Sequence, residues 1–227
     1  MQSRTILLAN AKGGVGKTTL ACALASVALD RGIAISLYDM DRQKSLSNWA
    51  RRKNLSCTAD QKFQIERILL KEKPELLIID SPATLRGENL ERAVKLADVI
   101  IVPVTNSRVD IEASARFLKR MGKIKALRKG KALLLPVLNK VASYHLIEEE
   151  IQRAEQGLGY PIAASFPTTK SFDELVAQGR HVRSWRYARK KMVEEHLWRL
   201  LVLAGLPNTI VPDEPELPKA PESKFLS

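Results

Sequence analysis

Short apolar runs alternate with segments of helical spacing along most of the 227-residue chain, and this alternation constrains the fold more than any other feature. The runs are rich in Ile, Leu and Val and mostly lack alternating polar residues, which is typical of strands buried on both faces. They cover residues 5–9, 34–39, 76–80, 99–104, 132–138 and 162–166. Because neighbouring parallel strands are joined by crossover helices, the pattern predicts an α/β fold with a mostly parallel central sheet and helices on both faces.

The segments between the runs space their apolar residues three to four apart, as amphipathic helices do. Predicted helices cover residues 17–30, 45–53, 61–71, 90–96, 111–127 and 145–156, and residues 170–205 are expected to be helical with a break near Gly179. The chain then becomes proline-rich, acidic and polar, a composition that cannot bury enough apolar surface to order itself. We expect one domain over residues 1–206 and a flexible tail over residues 207–227.

The charge balance is strongly basic, with a formal net charge of +12 and a pI near 9.8. Such an excess favours polyanionic partners, which include nucleic acids, anionic membranes and nucleotides, although solvated lysines alone can also produce it. The two cysteines, Cys22 and Cys57, are too few for a disulfide framework or a four-ligand metal site. Neither a signal peptide nor a membrane-spanning run is apparent, so we expect a cytoplasmic protein.

A glycine-rich loop, NAKGGVGKTTLA at residues 10–21, follows the first predicted strand and opens the first predicted helix. Its end fits the phosphate-loop pattern, in which backbone N–H groups and a helix N-terminus surround phosphate oxygens. We expect Lys17 to neutralise the β- and γ-phosphates and Thr18 to coordinate Mg²⁺. The predicted nucleotide-binding residues are Gly13, Gly14, Val15, Gly16, Lys17, Thr18 and Thr19. The loop departs from the pattern in two places, since Ala11 replaces the first glycine and Lys12 adds a second cation.

The stretch KGGVGKTT resembles the deviant phosphate loop of the ParA/MinD family of ATPases, which does not need the first glycine. The resemblance implies a P-loop ATPase with ATP and Mg²⁺ as cofactors and a homodimer that forms when ATP is bound. In that family the lysine equivalent to Lys12 reaches across the dimer to the phosphates of the other subunit. A cation placed there stabilises the transferring phosphoryl group, and the two facing basic loops would repel each other without triphosphate. The resemblance therefore gives Lys12 and Lys17 catalytic roles.

Two aspartates, Asp39 and Asp41, end the second predicted strand, and alternation places both side chains on one face. By resemblance, Asp41 would orient or activate the attacking water, and Asp39 would lie near the Mg²⁺. Arg42 follows where the family usually has proline. Asp80 ends the run at residues 76–80 and resembles the Walker B acid that holds Mg²⁺ directly or through water.

Later motifs follow the family's order along the chain. Pro82 and Ala83 resemble a switch segment that senses the γ-phosphate, and Asp110 resembles an architectural residue after the fourth strand. Asn139 lies at the next strand end, where the family often uses an asparagine to read the adenine edge, although a loop asparagine commonly serves only as a turn former. Pro167 would then lie over the base.

Positive charge is concentrated in two stretches. Residues 116–131 hold eight basic residues and no acid, and helical spacing of their apolar residues indicates a solvated helix face, with DNA binding as the alternative. In residues 179–201 the basic residues recur at three-to-four spacing. By resemblance to the ParA branch, this second stretch would bind non-specific DNA through Arg183, Arg186, Arg189 and Lys190.

Taken together, the motifs are most similar to small ParA-type partition ATPases without an N-terminal helix-turn-helix. The resemblance implies a slow ATPase whose dimer binds nucleoid DNA and positions a plasmid, a chromosome or a protein assembly. A ParB-like or other cargo-bound adaptor would stimulate hydrolysis, and we expect no membrane partner. The alternatives are a MinD-like membrane-associated positioning ATPase, which needs an amphipathic C-terminal helix, and a metabolic ATP-dependent enzyme of the same fold.

Overall fold

The computed structural model describes residues 3–60, 63–141, 147–168, 174, 176, 178, 182–186 and 190–207; the side chain of Arg183 is not described. Within these residues, seven strands form one sheet in the order β3-β2-β4-β1-β5-β6-β7, and every neighbouring pair is parallel. The strands are β1 (Arg4–Leu8), β2 (Ile35–Asp39), β3 (Cys57–Ala59), β4 (Leu76–Asp80), β5 (Val99–Thr105), β6 (Leu133–Val141) and β7 (Ala164–Pro167). The predicted parallel α/β fold is confirmed.

Helices cover both faces of the sheet, as the runs of buried residues require. They are α1 (Lys17–Leu29), α2 (Ser45–Arg52), α3 (Ile65–Glu72), α4 (Gly87–Leu96), α5 (Arg108–Met121), α6 (Lys125–Arg128), α7 (Ile147–Leu158) and α8 (Lys190–Leu203), with a short 3₁₀ helix at Val182–Ser184. One core cluster joins α1, α2 and α8 to one face of the sheet, and the second joins α3, α4, α5 and α7 to the other. Of the described helices, none is long and apolar enough to cross a bilayer.

The first helix shows why this sequence folds so closely around β1. From Leu20 to Ala28, every residue of α1 is buried, and most are alanine or another small residue. The helix packs against the sheet on one side and against α8 on another, so small side chains allow both neighbours to approach its backbone. This packing fixes the N-terminus of α1 directly behind the glycine-rich loop.

Three predicted elements differ from the structure. The short edge strand β3 was not predicted, because its three partly buried residues give no apolar run. The predicted helix at residues 111–127 is two helices, α5 and α6, separated by a turn that begins at Gly122. Of the predicted helical segment 170–205, the structure describes α8 and the 3₁₀ helix, while the break near Gly179 and residues 208–227 of the predicted tail lie outside the described residues.

Candidate nucleotide-binding site

A pocket of about 1230 Å³ opens at the carboxyl edge of the central strands. Open α/β sheets bind ligands at this edge, because the loops that follow the strands meet there. The loop after β1 lines the pocket with Gly13, Gly14, Gly16, Lys17, Thr18 and Thr19, and the loop after β2 contributes Asp41. These predicted site residues therefore come together in one cavity. Sequence reasoning missed Arg86, Asn89 and Lys140, which also line it.

The glycine-rich loop has a conformation that suits glycine at two positions. Gly14 and Gly16 have φ angles of +74° and +92°, in the left-handed region that costs other residues about 1–2 kcal/mol. A Cβ atom at Gly16 would lie 2.2 Å from Nδ2 of Asn139. The glycines therefore allow both the turn of the loop and the close approach of β6.

Two neighbouring residues of β6 hold the loop in place. Asn139 is 6% exposed, and its Nδ2 donates a 2.8 Å hydrogen bond to the carbonyl of Val15. The Nζ of Lys140 donates to the carbonyl of Gly14 at 2.9 Å. The structure thus gives the Asn139 amide a partner in the phosphate loop, and its predicted contact with the adenine edge stays a prediction. Val15 is buried and takes part through its backbone.

The loop lysine Lys17 is almost completely buried, and among the described residues no carboxylate forms an ion pair with it. Lys17 is 8% exposed. Its Nζ donates long hydrogen bonds to two backbone carbonyls, that of Asn10 at 3.5 Å and that of Lys12 at 3.3 Å. Burial lowers the pKa of Lys17, and the charges of Asp80 and Asp41 partly oppose this effect. An anion in the pocket would relieve the cost of the buried charge, so the site is suited electrostatically to phosphate.

A hydroxyl and a carboxylate meet where the metal is predicted. The Thr18 Oγ1 donates a 2.6 Å hydrogen bond to Oδ2 of Asp80, and Oδ1 of Asp80 is buried without a hydrogen-bond partner among the described residues. The pKa of Asp80 is raised to about 7, mainly by burial; the Thr18 hydrogen bond opposes this rise, and the charge of Asp39 contributes to it. A buried carboxylate with an unpaired oxygen is costly unless a cation joins it. This all-oxygen pair fits Mg²⁺, which prefers such ligands.

The two aspartates that end β2 have different surroundings. Asp39 is 1% exposed; its Oδ1 accepts the N–H of Asp41, and its Oδ2 accepts both the N–H and the hydroxyl of Ser47. Because Ser47 lies in the first turn of α2, Asp39 acts there as a cap for that helix, a role that the sequence alone did not suggest. Its predicted place near Mg²⁺ stays a prediction. Asp41 is partly exposed in the pocket lining, and its Oδ1 accepts the N–H of Gln43.

The second loop lysine, Lys12, is held outside the pocket lining. Its Nζ lies 3.0 Å from Oδ1 of Asp110 at the start of α5, and its side chain is 42% exposed. The Thr105 hydroxyl donates to Oδ2 of the same carboxylate, and together with the Lys12 contact this bond holds the pKa of Asp110 below its usual value. Asp110, expected to be architectural, therefore binds the lysine on which the predicted dimer depends.

The remaining predicted site residues are only partly described. Pro167 is buried at the end of β7, paired with Val141. Arg186 is exposed and Lys190 partly exposed, whereas Arg189 and the side chain of Arg183 lie outside the described part of the chain. Their predicted common face stays a prediction.

Comparison with known proteins identifies similar folds and sequences. A model of the CobQ/CobB/MinD/ParA nucleotide binding domain matches residues 6–182. The chain is 29% identical over 190 residues to the maintenance of carboxysome distribution protein A of Gloeobacter kilaueensis, covering 81% of this chain and 85% of that protein. Among solved structures, McdA of Cyanothece in complex with ATP gives a TM-score of 0.71 at 16% identity, covering 92% of this chain and 99% of that one. Cobyrinic acid a,c-diamide synthase of Mycobacterium smegmatis, with bound ADP and magnesium, gives a TM-score of 0.63 at 18% identity, covering 83% and 97%.

Proposed function

The chain belongs to the family of CobQ/CobB/MinD/ParA nucleotide-binding domains, and on that premise we propose that it is a ParA-type ATPase that dimerises with ATP and positions a cargo on DNA. The observation that supports this proposal most is the placement of the two loop lysines. Lys17 is buried in the pocket lining, whereas Lys12 stands outside that lining with a side chain that is 42% exposed. One lysine serves the pocket of its own protomer, and the other is available to a second protomer.

Within one protomer, the phosphate loop and Lys17 would bind the triphosphate. Mg²⁺ held by Thr18 and Asp80 would neutralise charge on the β- and γ-phosphates. Asp41 is the one carboxylate among the described residues that line the pocket. The Gln43 N–H fixes one of its oxygens, and the other has no donor among the described residues, so it can orient the attacking water. None of the described residues that line the pocket resembles a strong general base, which is why we expect slow intrinsic hydrolysis.

Dimerisation would transfer Lys12 from Asp110 to the phosphates of the neighbouring protomer. The ion pair that it leaves is partly exposed, with side-chain exposures of 42% and 19%, so it contributes at most about 1 kcal/mol. A triphosphate offers several negative charges in place of one carboxylate. Without it, two basic loops face each other and repel, which makes the dimer depend on the bound nucleotide.

The dimer would bind non-specific DNA and release it after hydrolysis. The predicted contacts are Arg183, Arg186, Arg189 and Lys190, two sets of which would be present in a dimer. Doubling the number of phosphates contacted strengthens binding steeply at low salt. The relative named for carboxysome distribution supports a cargo that is a large assembly. The dimer would be associated with the nucleoid, and a ParB-like or other cargo-bound adaptor would stimulate hydrolysis and so release the protein from DNA.

Binding to random-sequence duplex DNA tests this proposal when it is measured with ADP, ATP and a slowly hydrolysed analogue. We expect wild type to bind with ATP and the analogue, Asp41→Ala to stay bound with ATP because it hydrolyses little, and Lys12→Ala to bind with none of the three. Lys73→Ala, which removes an exposed lysine remote from the loop, is the matched control. Equal DNA binding with all three nucleotides would contradict the proposal. Binding to anionic liposomes without DNA would favour the membrane alternative, and substrate-dependent ATP turnover without a DNA response would favour a metabolic enzyme.

A further inference from the structure

The segment from α5 to the start of β6 carries an unusual density of exposed positive charge. Between Glu112 and Glu148 the sequence contains no acidic residue. Eight basic side chains between residues 116 and 131 are exposed, and among the described residues none of them forms an ion pair with a carboxylate. These residues, which we call the α5 basic surface, are Arg116, Lys119, Arg120, Lys123, Lys125, Arg128, Lys129 and Lys131.

Four of these eight cations form one stripe on the outer side of α5, because the opposite side of the helix packs against the sheet. Ile111, Phe117, Leu118 and Met121 of α5 are buried against the sheet. The cations therefore lie on the outer side, at positions that follow helical spacing along and just beyond α5. They are Arg116, Lys119, Arg120 and Lys123. Side chains three or four residues apart on a helix lie about 5–6 Å apart, so the positive charges are close neighbours.

The stripe lines two adjoining clefts, so its charges surround concave surface. One cleft of about 470 Å³ is lined by all four cations of the stripe together with Ala11 of the phosphate loop and Ala113. The second, of about 450 Å³, shares Arg116 and Lys119 and reaches Leu158 and Tyr160. Clefts with cationic walls concentrate the electrostatic field and attract extended anions.

An ordinary solvated helix face carries both signs of charge, since like charges at these spacings destabilise a helix. No described carboxylate forms an ion pair with the cations of the α5 basic surface. A polyanion would remove the repulsion among them and would release counterions on binding. The regular spacing of several cations suits a repeating phosphate backbone better than a single small anion.

We propose that the α5 basic surface binds the phosphate backbone of duplex DNA, in addition to the predicted contacts near α8. This inference rests on the proposed function, because it assumes that the protein binds DNA. It assigns part of the DNA binding to a surface that begins beside the phosphate loop. Phosphate contacts of this kind carry no base specificity.

The test compares three variants of the 227-residue chain, each with four substitutions, for binding to random-sequence duplex DNA in the presence of a slowly hydrolysed ATP analogue. The first is R116Q/K119Q/R120Q/K123Q. The second, R183Q/R186Q/R189Q/K190Q, removes the predicted α8 contacts. The third, R51Q/R67Q/K71Q/K73Q, removes four exposed charges from α2 and the α3 region and is the matched control. Thermal unfolding and nucleotide affinity verify that each variant folds.

We expect the first variant to bind DNA at least about tenfold more weakly than the third, with the slope of log affinity against log salt reduced by about 2–4. If wild type binds DNA and the first and third variants bind equally, the α5 inference is overturned and the proposed function stands. If wild type binds no DNA with any nucleotide, both are overturned. If the first variant keeps DNA binding but loses binding to polyglutamate, the surface serves an acidic protein and the DNA inference is wrong.

Discussion

Replacing Gly16 by alanine has two energetic costs for the phosphate loop, which are backbone strain and the loss of a hydrogen bond. At a φ of +92° a Cβ atom costs about 1–2 kcal/mol of backbone strain. The same Cβ atom would lie 2.2 Å from Nδ2 of Asn139, so that side chain must turn away and lose its bond to the Val15 carbonyl. A buried acceptor left unpaired costs about 1–3 kcal/mol more. We expect Gly16→Ala to lower the free energy of unfolding by about 2–5 kcal/mol.

The loop supplies its own controls for this measurement, which is urea unfolding without nucleotide. Gly14→Ala carries the strain at a φ of +74° but meets no atom within 4 Å, and Gly13→Ala meets neither constraint. We expect a loss of about 1–2 kcal/mol for Gly14→Ala and a change within about 0.5 kcal/mol for Gly13→Ala.

A double-mutant cycle with Asn139→Ala then isolates the contact. Because Gly16→Ala already breaks the Asn139 bond, the double variant should be more stable than additivity predicts by about 1–3 kcal/mol. Strict additivity, or equal effects at Gly14 and Gly16, would refute the reasoning.

Other expectations follow from the charged groups of the site. Burial raises the pKa of Asp80 to about 7, so the nucleotide-free protein should lose stability as the pH rises from the unfolded value near 3.8 through 7. Because Mg²⁺ needs the ionised carboxylate, the affinity of the protein for Mg²⁺ should rise between about pH 6 and pH 8, and binding should release protons. Calorimetry in buffers of different ionisation enthalpy measures both effects. A Mg²⁺ affinity that does not change with pH would contradict the assignment of Asp80 as the metal ligand. Asp110→Asn removes the ion pair of Lys12 in both protomers, which together contribute up to about 2 kcal/mol, so ATP-dependent dimers should form at a protein concentration up to about thirtyfold lower, as measured by sedimentation. A weaker dimer would show that Asp110 instead supports dimerisation. Ser47→Ala removes a hydroxyl from the buried Asp39 carboxylate and should lower the free energy of unfolding by about 1 kcal/mol in urea, whereas no loss would show that the N–H bond alone is sufficient.

The order of the fold could be predicted from the sequence because fully buried strands leave a strong local pattern. All five residues of β4 are buried, and the corresponding apolar run was unmistakable. The edge strand β3 was missed because it pairs with one neighbour and stays partly exposed, so its composition carries no such pattern. The break between α5 and α6 lies at Gly122, which single-sequence spacing did not distinguish from a glycine tolerated inside a helix.

The site was predictable where local sequence sets the geometry and unpredictable where distant segments meet. Gly16, Lys17 and Thr18 belong to one contiguous motif, and they line the same pocket. The bonds of Asn139 to Val15 and of Lys12 to Asp110 join residues about a hundred positions apart, and register between strands determines them. No local pattern encodes such a register.

The central claim is that ATP joins two protomers, and sedimentation of Asp41→Ala at micromolar concentration tests it most directly. The account predicts a species of twice the 25.4 kDa chain mass with ATP and Mg²⁺, and a single chain with ADP or when Lys12→Ala is added to the variant. A single chain with ATP under saturating nucleotide would contradict it.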